Sequence, residues 1–343
     1  MKRRPLGTPR PSQPPERSRW LNCVLTPHRR LSREAAEIPH TLSAERTALR
    51  PVWAYLGPAS AAAYRLYVRR CPETQAWAAS LDPLAAAIRP HLRAELLDVL
   101  VLGIGEGRPD IRLAAQLLDA DGPTSLGLVD LSEPLLTAAY VHAAESLRHV
   151  AVWALLADLE ELSSHADLLY LSGRQRVVVL LGGTLGELED ELRFLRHGLA
   201  FCSAGDVLVL DLPLSVGESQ AVRWARQGEA ARRQLDEAKP WLTTALAPYV
   251  DGEPIEWTLR MDPDAALPGS YAWSAVALLP GASASREIEL WRRKHYQPAP
   301  LRERLGALGW EQVAACRYGE ALPGELQVYR LCGAAEPAPQ RAP

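Results

Sequence analysis

Three glycines follow a short apolar run in the segment VLVLGIGEG, at Gly103, Gly105 and Gly107. A glycine-rich turn after a buried strand lets the backbone approach a ligand closely, and the N-terminus of the next helix then faces that ligand. Because the glycines run G-x-G-x-G and not G-x-G-x-x-G, and Pro109 follows them, the spacing favours S-adenosylmethionine (SAM) over a dinucleotide. For this motif taken alone, an ordinary structural turn is the alternative.

Two acids end the next apolar runs, Asp130 in SLGLVD and Asp158 in VAVWALLAD. Asp130 could accept hydrogen bonds from both ribose hydroxyls of a nucleoside, and Asp158 or a backbone N–H beside it could meet the adenine ring. Each acid could instead cap a helix. Three elements in the right order at successive strand ends favour the cofactor interpretation, which predicts binding by Gly103, Gly105, Gly107, Asp130, Leu131, Asp158, Leu159, Gly182 and Gly183.

The elements that must position these residues alternate along the chain. Short apolar runs such as RVVVLLGG and DVLVLDLPL are separated by amphipathic stretches such as EDELRFLRHGLAF. Strands and helices in this alternation predict an α/β, doubly wound parallel sheet with helices on both faces. Together with the cofactor elements above, the expected fold is the Rossmann-like fold of class I methyltransferases. The last part of the sheet is expected to add one helix, PLRERLGALG, and one strand, LQVYRLC.

Changes of pattern divide the chain into six expected regions. The predicted cofactor core is preceded by a helical cap and followed by an inserted α+β lobe that would recognise the substrate. The regions are a disordered basic, Pro-rich tail (1–40), the N-terminal helical cap (41–90), the SAM-binding core (91–214), the substrate lobe (215–296), a C-terminal helix and strand (297–333) and a disordered end (334–343).

Charge and composition exclude several classes of partner. A formal net charge of -3 gives no basic field that would attract nucleic acid, and no apolar run reaches the length of a membrane span. Five cysteines without a CxxC pair fit a reducing compartment, so we expect a cytoplasmic protein. The histidines lack the spacing of metal ligands, and no metal site is predicted. The expected partner is a small molecule or a peptide.

Three segments carry a resemblance to a known family. VVVLLGGTLGELEDELRFLRHGLAFCSAGDVLVLDLPL is similar to a pattern of LGSTIGN, a helix, PGD and a strand ending in Asp-Leu; VDLSEPLL is similar to a D-I-S segment; RRKHYQP is similar to a K-F/Y-x-P element. From about Pro72 to Leu331 the chain resembles the histidine-specific SAM-dependent methyltransferase family. The resemblance implies methyl transfer to the α-amino nitrogen of an amino acid or a related molecule, with S-adenosylhomocysteine (SAH) as product.

The chain departs from this family at positions expected to contact the substrate. Glu187 stands where the family has Asn, and Trp291 and Arg293 stand where it has Glu and Ser. We therefore expect an amine acceptor other than free histidine, with Glu187 as the catalytic residue that binds or deprotonates the amine. A solvated acid at the start of ELEDE is the alternative. The predicted substrate-binding residues are Thr184, Glu187, Trp224, Trp291 and Arg293.

Aromatic and basic residues of the lobe suggest how a substrate would be held. Trp224, Trp257, Trp273 and Trp291 could form an aromatic wall for an apolar or cationic group, although such residues are more often core. The run from Arg292 to His295 could pair with a carboxylate or simply place charge on a strand edge.

The sequence thus predicts a SAM-dependent N-methyltransferase. A non-catalytic protein of the same fold is the first alternative, because the family's substrate residues are replaced. A dinucleotide-dependent oxidoreductase is the second, disfavoured by the glycine spacing.

Overall fold

A computed structural model describes residues 23–25, 42, 44–92, 97–118, 124–169, 174–215, 220–250, 252–280, 286–320 and 323–333. The strands are β1 (Cys23–Leu25), β2 (Arg46–Ala48), β3 (Leu97–Leu102), β4 (Ser125–Asp130), β5 (Ala151–Leu156), β6 (Gln175–Leu180), β7 (Val207–Pro213), β8 (Glu256–Pro263), β9 (Tyr271–Leu279), β10 (Arg286–His295), β11 (Trp310–Tyr318) and β12 (Gly324–Leu331).

Nine α-helices are found in the described part of the chain, and five of them begin with a proline in the first two positions, where the missing N–H costs nothing. The helices are α1 (Pro58–Arg70), α2 (Pro72–Ala79), α3 (Leu81–Ile88), α4 (Arg108–Leu117), α5 (Glu133–Ser146), α6 (Ala166–Leu169), α7 (Glu191–Arg193), α8 (Gln220–Leu246) and α9 (Pro298–Ala307). Helix α7 continues as a π-helical turn, Phe194–Gly198, and 3-10 turns cover Pro51–Tyr55, Arg89–His91, Leu159–His165, Thr184–Glu187 and Ala247–Tyr249.

The main sheet has eight strands in the order β1-β5-β4-β3-β6-β7-β12-β11. Strand β12 runs antiparallel to both of its neighbours, β7 and β11. The other six strands of this sheet, β1, β5, β4, β3, β6 and β7, pair in parallel. Without the edge strand β1, seven strands remain, and if β3 is counted as the first along the chain their order in the sheet is 3-2-1-4-5-7-6. The seventh of these, β12, is the reversed strand. This arrangement is the class I methyltransferase variant of the Rossmann-like fold. The predicted fold class is confirmed.

Alternate residues of β3 show why the sheet is covered on both faces. Val99 and Val101 belong to a core cluster that includes side chains of α3, α4 and α5, whereas Leu100 and Leu102 belong to a second cluster that includes the π-helical turn and α9. A strand buried on both faces needs a continuous apolar run, which is what LDVLVL supplies around the single buried acid Asp98. Asp98 is paired with Arg176 of β6 at 3.2 Å.

A second sheet, in the order β2-β10-β9-β8, forms the lobe together with α8. Strands β8, β9 and β10 pair antiparallel. Strand β2 lies parallel to β10 and comes from the region expected to be a purely helical cap, so that expectation is wrong for Arg46–Ala48. A three-residue strand has too few side chains to show an alternating pattern.

Two further expectations need correction. Cys23–Leu25 lie in the segment expected to be a disordered tail, yet they pair with β5 as the edge strand β1; residues 1–22, 26–41 and 334–343 lie outside the described part of the chain. The C-terminal region contains two strands, because β11 precedes the predicted strand β12. Strand β11 lies at the edge of the sheet, where partial exposure weakens the apolar signal.

Within the described residues, no helix has both the length and the apolar character needed to cross a membrane.

Candidate functional site

A cavity lies at the carboxyl ends of β3, β4 and β6, where open α/β sheets bind ligands. It contains about 1280 Å³ of space between protein atoms, counting its open mouth. The main sheet supplies one side of it, and the other side comes from the segment between Arg50 and Trp77, from α8 and from β10. The cofactor loops and the lobe therefore share one cavity.

The glycine loop brings the end of β3 against the end of β6. The backbone N–H of Gly103 donates to the carbonyl of Val129 at 2.8 Å, which ties the loop to β4. Gly103 has a φ of 69°, and a Cβ atom there would lie 2.5 Å from Cγ2 of Thr184. Glycine is required at this position both by the backbone conformation and by the close approach of Thr184.

Asp130, the last residue of β4, lies directly beside the glycine loop. Its Oδ2 accepts from the N–H of Gly105 at 2.9 Å, and its Oδ1 accepts from the N–H of Ser132 at 2.7 Å. Burial raises the pKa of this carboxyl although backbone bonds from Gly105, Ser132 and Leu131 favour the charged form. Each carboxylate oxygen has a second lone pair, so Asp130 keeps acceptor capacity towards the cavity that it lines.

Asp158 combines the helix-cap role weighed for it with an ion pair that the sequence did not reveal. Its Oδ1 accepts from the N–H of Glu160 at 3.0 Å, which caps the following 3-10 turn. Its Oδ2 accepts from the guanidinium of Arg50 at 2.7 Å, and Arg50 also contacts Glu160 at 2.8 Å. Asp158 lines the cavity, but both of its oxygens bind protein groups.

Glu187 lies at the end of the 3-10 turn after β6 and accepts hydrogen bonds from two side chains. The hydroxyl of Tyr55 lies 2.9 and 2.8 Å from its two oxygens, and the indole N–H of Trp291 donates to Oε1 at 2.9 Å. Burial raises the pKa of Glu187 to about 7, outweighing these bonds and the nearby charge of Arg293. A carboxyl with this pKa can exchange a proton near neutral pH.

The predicted site residues divide into those that line the cavity and those that do not. Gly183 lies against Arg293, since a Cβ atom on Gly183 would be 2.8 Å from the arginine Nε, and it does not line the cavity. Trp224 falls on α8, but its side chain lies outside the described part of the chain. Those that line it are Gly103, Gly105, Gly107, Asp130, Leu131, Asp158, Leu159, Gly182, Thr184, Glu187, Trp291 and Arg293.

The aromatic wall differs from the predicted one. Trp273 packs with Tyr271 outside the cavity, and the indole N–H of Trp257 donates to Thr243. The wall consists of Trp291 with four residues that the sequence analysis missed, Tyr55, Tyr64, Tyr67 and Trp241.

Trp241 is the centre of this aromatic wall. Its ring centroid lies 5.0 Å from Tyr64, 5.4 Å from Tyr67 and 5.9 Å from Trp291. The i, i+3 spacing of Tyr64 and Tyr67 on α1 was the one available sequence signal, because it places both rings on one helix face.

The described residues that line the cavity are strongly acidic. Seven of them are carboxylates and two are arginines, Arg50 and Arg293; the acids are Glu106, Asp110, Asp130, Asp158, Glu160, Glu187 and Glu189. Asp110, in the first turn of α4, has its pKa raised to about 7, first by burial and then by the neighbouring Asp211 and Glu106. This electrostatic field favours a cationic ligand.

No protein-family model matches the sequence, and no curated protein matches it significantly. The resemblance to the histidine-specific family therefore stays a prediction.

Among solved structures, the chain is similar to a S-adenosylmethionine-dependent methyltransferase from Clostridium acetobutylicum (11% identity, 74% of this chain and 91% of that chain, TM-score 0.44). It is also similar to magnesium protoporphyrin IX methyltransferase from Synechocystis with bound SAH (15% identity, 74% and 82%, TM-score 0.42). A third is the glycopeptide N-methyltransferase MtfA complexed with SAH (13% identity, 87% and 97%, TM-score 0.39). At these identities and TM-scores the similarity assigns neither a cofactor nor a substrate to this chain.

Proposed function

We propose that this protein is a SAM-dependent methyltransferase that N-methylates an amine other than free histidine. The observation that supports it best is the acidic cavity at the strand ends, in which Asp130 lies against the glycine loop and Glu187 lies against aromatic rings. SAM and an ammonium group are both cationic at the reacting end, and both are favoured by this field.

The residues present fit SAM. Asp130 would accept the ribose hydroxyls, because its backbone bonds occupy only part of its acceptor capacity. The glycine loop and Leu131 would lie against the nucleoside, and Leu159 would lie against the base. When bound, SAM supplies a methyl group on a positively charged sulfur, and the nitrogen takes this methyl group as the carbon–sulfur bond breaks.

Glu187 would prepare the acceptor nitrogen. An ammonium has no lone pair, so it must lose a proton before it can form the new bond to carbon. A carboxylate with a pKa near 7 can take that proton at neutral pH. Tyr55 and Trp291 fix the position of the carboxylate through their hydrogen bonds, and correct positioning carries much of the rate of such a displacement.

The positions at which this chain differs from the family that it resembles argue against free histidine as the methyl acceptor. Glu187 and Trp291 bond to each other at 2.9 Å, and the charge of Arg293 acts on Glu187, so the three substitutions act as one group. A site that pairs with an imidazole needs donors and acceptors aimed at its two nitrogens, and removing such partners costs several kcal/mol of discrimination.

The cofactor half of the proposal is tested by calorimetry with SAM, SAH and NAD. We expect SAM and SAH to bind and NAD not to bind, and Asp130→Ala to weaken SAH binding by about 1.5 to 3 kcal/mol. Binding of NAD in place of SAH would identify a dinucleotide enzyme instead.

The acceptor half is tested by offering amines, amino acids and short peptides with SAM and following the gain of one methyl mass. We expect methylated amine products, with histidine among the poor acceptors. If SAH binds but no class of acceptor gives a methylated product, a non-catalytic protein would be favoured. The hydrogen bond from Arg50 to Asp158 fits that alternative, because it occupies an acid expected at the cofactor. Preferential methylation of histidine would contradict the acceptor assignment.

A further inference from the structure

The charge of the cavity limits which other groups the acceptor can carry besides its amine. Seven acidic side chains and two guanidiniums line the described part of the cavity, and one of the acids, Glu106, is also paired with Arg69 and Arg108. An α-amino acid brings a carboxylate two bonds away from its α-nitrogen, so any α-amino acid whose α-nitrogen meets Glu187 must place a second negative charge beside it. Like charges at such distances in a partly buried site repel strongly.

The charges of the two arginines of the cavity already act on acids of the same cavity. Arg50 binds Asp158 and Glu160 at 2.7 and 2.8 Å, and its Nε lies 3.7 Å from Glu189. Arg293 is 7% exposed and lies against the turn at Gly183, where a Cβ atom would be only 2.8 Å from its Nε. The guanidinium of Arg50 is therefore already shared among three acids of the cavity, and the charge of Arg293 already acts on Glu187.

The surface around Glu187 is suited to an apolar or aromatic group. The rings of Tyr55 and Tyr64 are half-buried and lie 4.8 Å apart in an edge-to-face arrangement. Pro51, Val52 and Leu188 add apolar surface to the same cavity. An ammonium held at Glu187 would have these aromatic faces beside it, which favours a cation by cation–π attraction.

Resting on the proposed function, we propose that the acceptor is an apolar or aromatic amine without a carboxylate next to its nitrogen. Glu187 holds the ammonium, the aromatic wall receives the apolar group, and the surplus of acids repels α-amino acids. Glu189, which lines the cavity, is partly exposed and lies 3.7 Å from the Nε of Arg50, adds to this repulsion.

Matched pairs of acceptors test this proposal in the full-length protein. Phenethylamine is compared with phenylalanine, tryptamine with tryptophan, and histamine with histidine, by measuring kcat/KM for methyl transfer from SAM. Each amine is expected to exceed its amino acid by about tenfold or more. Amino acids that match or exceed their amines would overturn this inference while leaving the methyltransferase proposal intact. No methylation of any acceptor would overturn both.

A pair of charge variants separates electrostatics from shape. Glu189→Gln should lower the preference for amine over amino acid by about two- to fivefold, because one repelling charge is removed. Glu303→Gln, an exposed acid on α9, removes the same charge far from the cavity and should leave the preference unchanged. SAH binding by both variants verifies that they are folded. An equal preference in all three proteins would contradict an electrostatic origin.

Discussion

At the scale of single residues, Glu187 is the group whose environment departs most from what its neighbours in sequence suggest. It belongs to a stretch rich in acids, yet burial in the cavity raises its pKa to about 7, and Tyr55 and Trp291 donate to it from 132 and 104 positions away. The pKa and the hydrogen bonds of Glu187 are therefore set by residues that are distant in sequence and adjacent in the folded chain.

This environment predicts a pH-dependent reaction. If Glu187 takes the proton of the ammonium, only its deprotonated form is active, so the rate should rise with pH through about 7 and level off above it. Glu187→Gln should remove this limb and lower kcat by roughly a hundredfold, with SAH affinity nearly unchanged. The measurement is the pH profile of kcat for both proteins.

The exposed acid Glu237 on α8 provides a control, because Glu237→Gln should keep the wild-type profile. A limb near pH 7 that persists in Glu187→Gln would assign the titration to another group, such as Asp110.

At the scale of elements, the segment from β2 to α1 connects the two sheets. It pairs with β10 through Arg46–Ala48, reaches Asp158 through Arg50 and forms the aromatic wall through Tyr55, Tyr64 and Tyr67. The segment is therefore part of the site, and its main anchor on the cofactor side is the buried ion pair between Arg50 and Asp158.

Arg50→Ala should destabilise the protein by about 3 to 5 kcal/mol, because it leaves Asp158 and Glu160 buried without their cation. Arg46→Ala is the matched control on the same segment. It removes an ion pair with Glu287 in which Arg46 is 78% exposed, and it should cost no more than about 1 kcal/mol. Urea unfolding of both variants measures the difference, and equal losses would show that the Arg50 pair is not an anchor.

At the scale of the whole molecule, one hydrophobic cluster joins the parts that surround the cavity. It includes Trp53 and Tyr67 of the N-terminal segment, Trp241 of α8, Trp291 of β10 and Leu131 at the end of β4. The indole N–H of Trp241 also donates to the carbonyl of Ala54 at 2.6 Å. Core sheet and lobe therefore share packing around the site and should respond to a ligand together.

A ligand that binds only the folded state should accordingly stabilise the entire chain. SAH at a hundred times its Kd should raise the free energy of unfolding by about 2.7 kcal/mol, in a single transition seen equally by tryptophan fluorescence and far-UV circular dichroism. NAD at the same concentration should have no effect. Stabilisation seen by only one of the two signals would mean that the lobe unfolds independently of the cofactor core.

The sequence by itself determined the core of the fold and one edge of the site. Beyond their first two positions, LDVLVL and QRVVVL are apolar without interruption, so burial on both faces could be predicted from local composition. Because parallel strands end at the same edge, the glycines after β3, the acid that ends β4 and the acid that follows β5 could be placed together as well.

Only the tertiary structure decided what covers that edge. Arg50 meets Asp158 across 108 positions, Tyr55 meets Glu187 across 132, and the aromatic wall is built around Trp241 and not around Trp257 or Trp273. Local patterns report which face of an element is buried, but they do not report which distant element it is buried against. That choice is made by the packing of the N-terminal segment between two sheets, and it sets the charge, shape and proton affinity of the site.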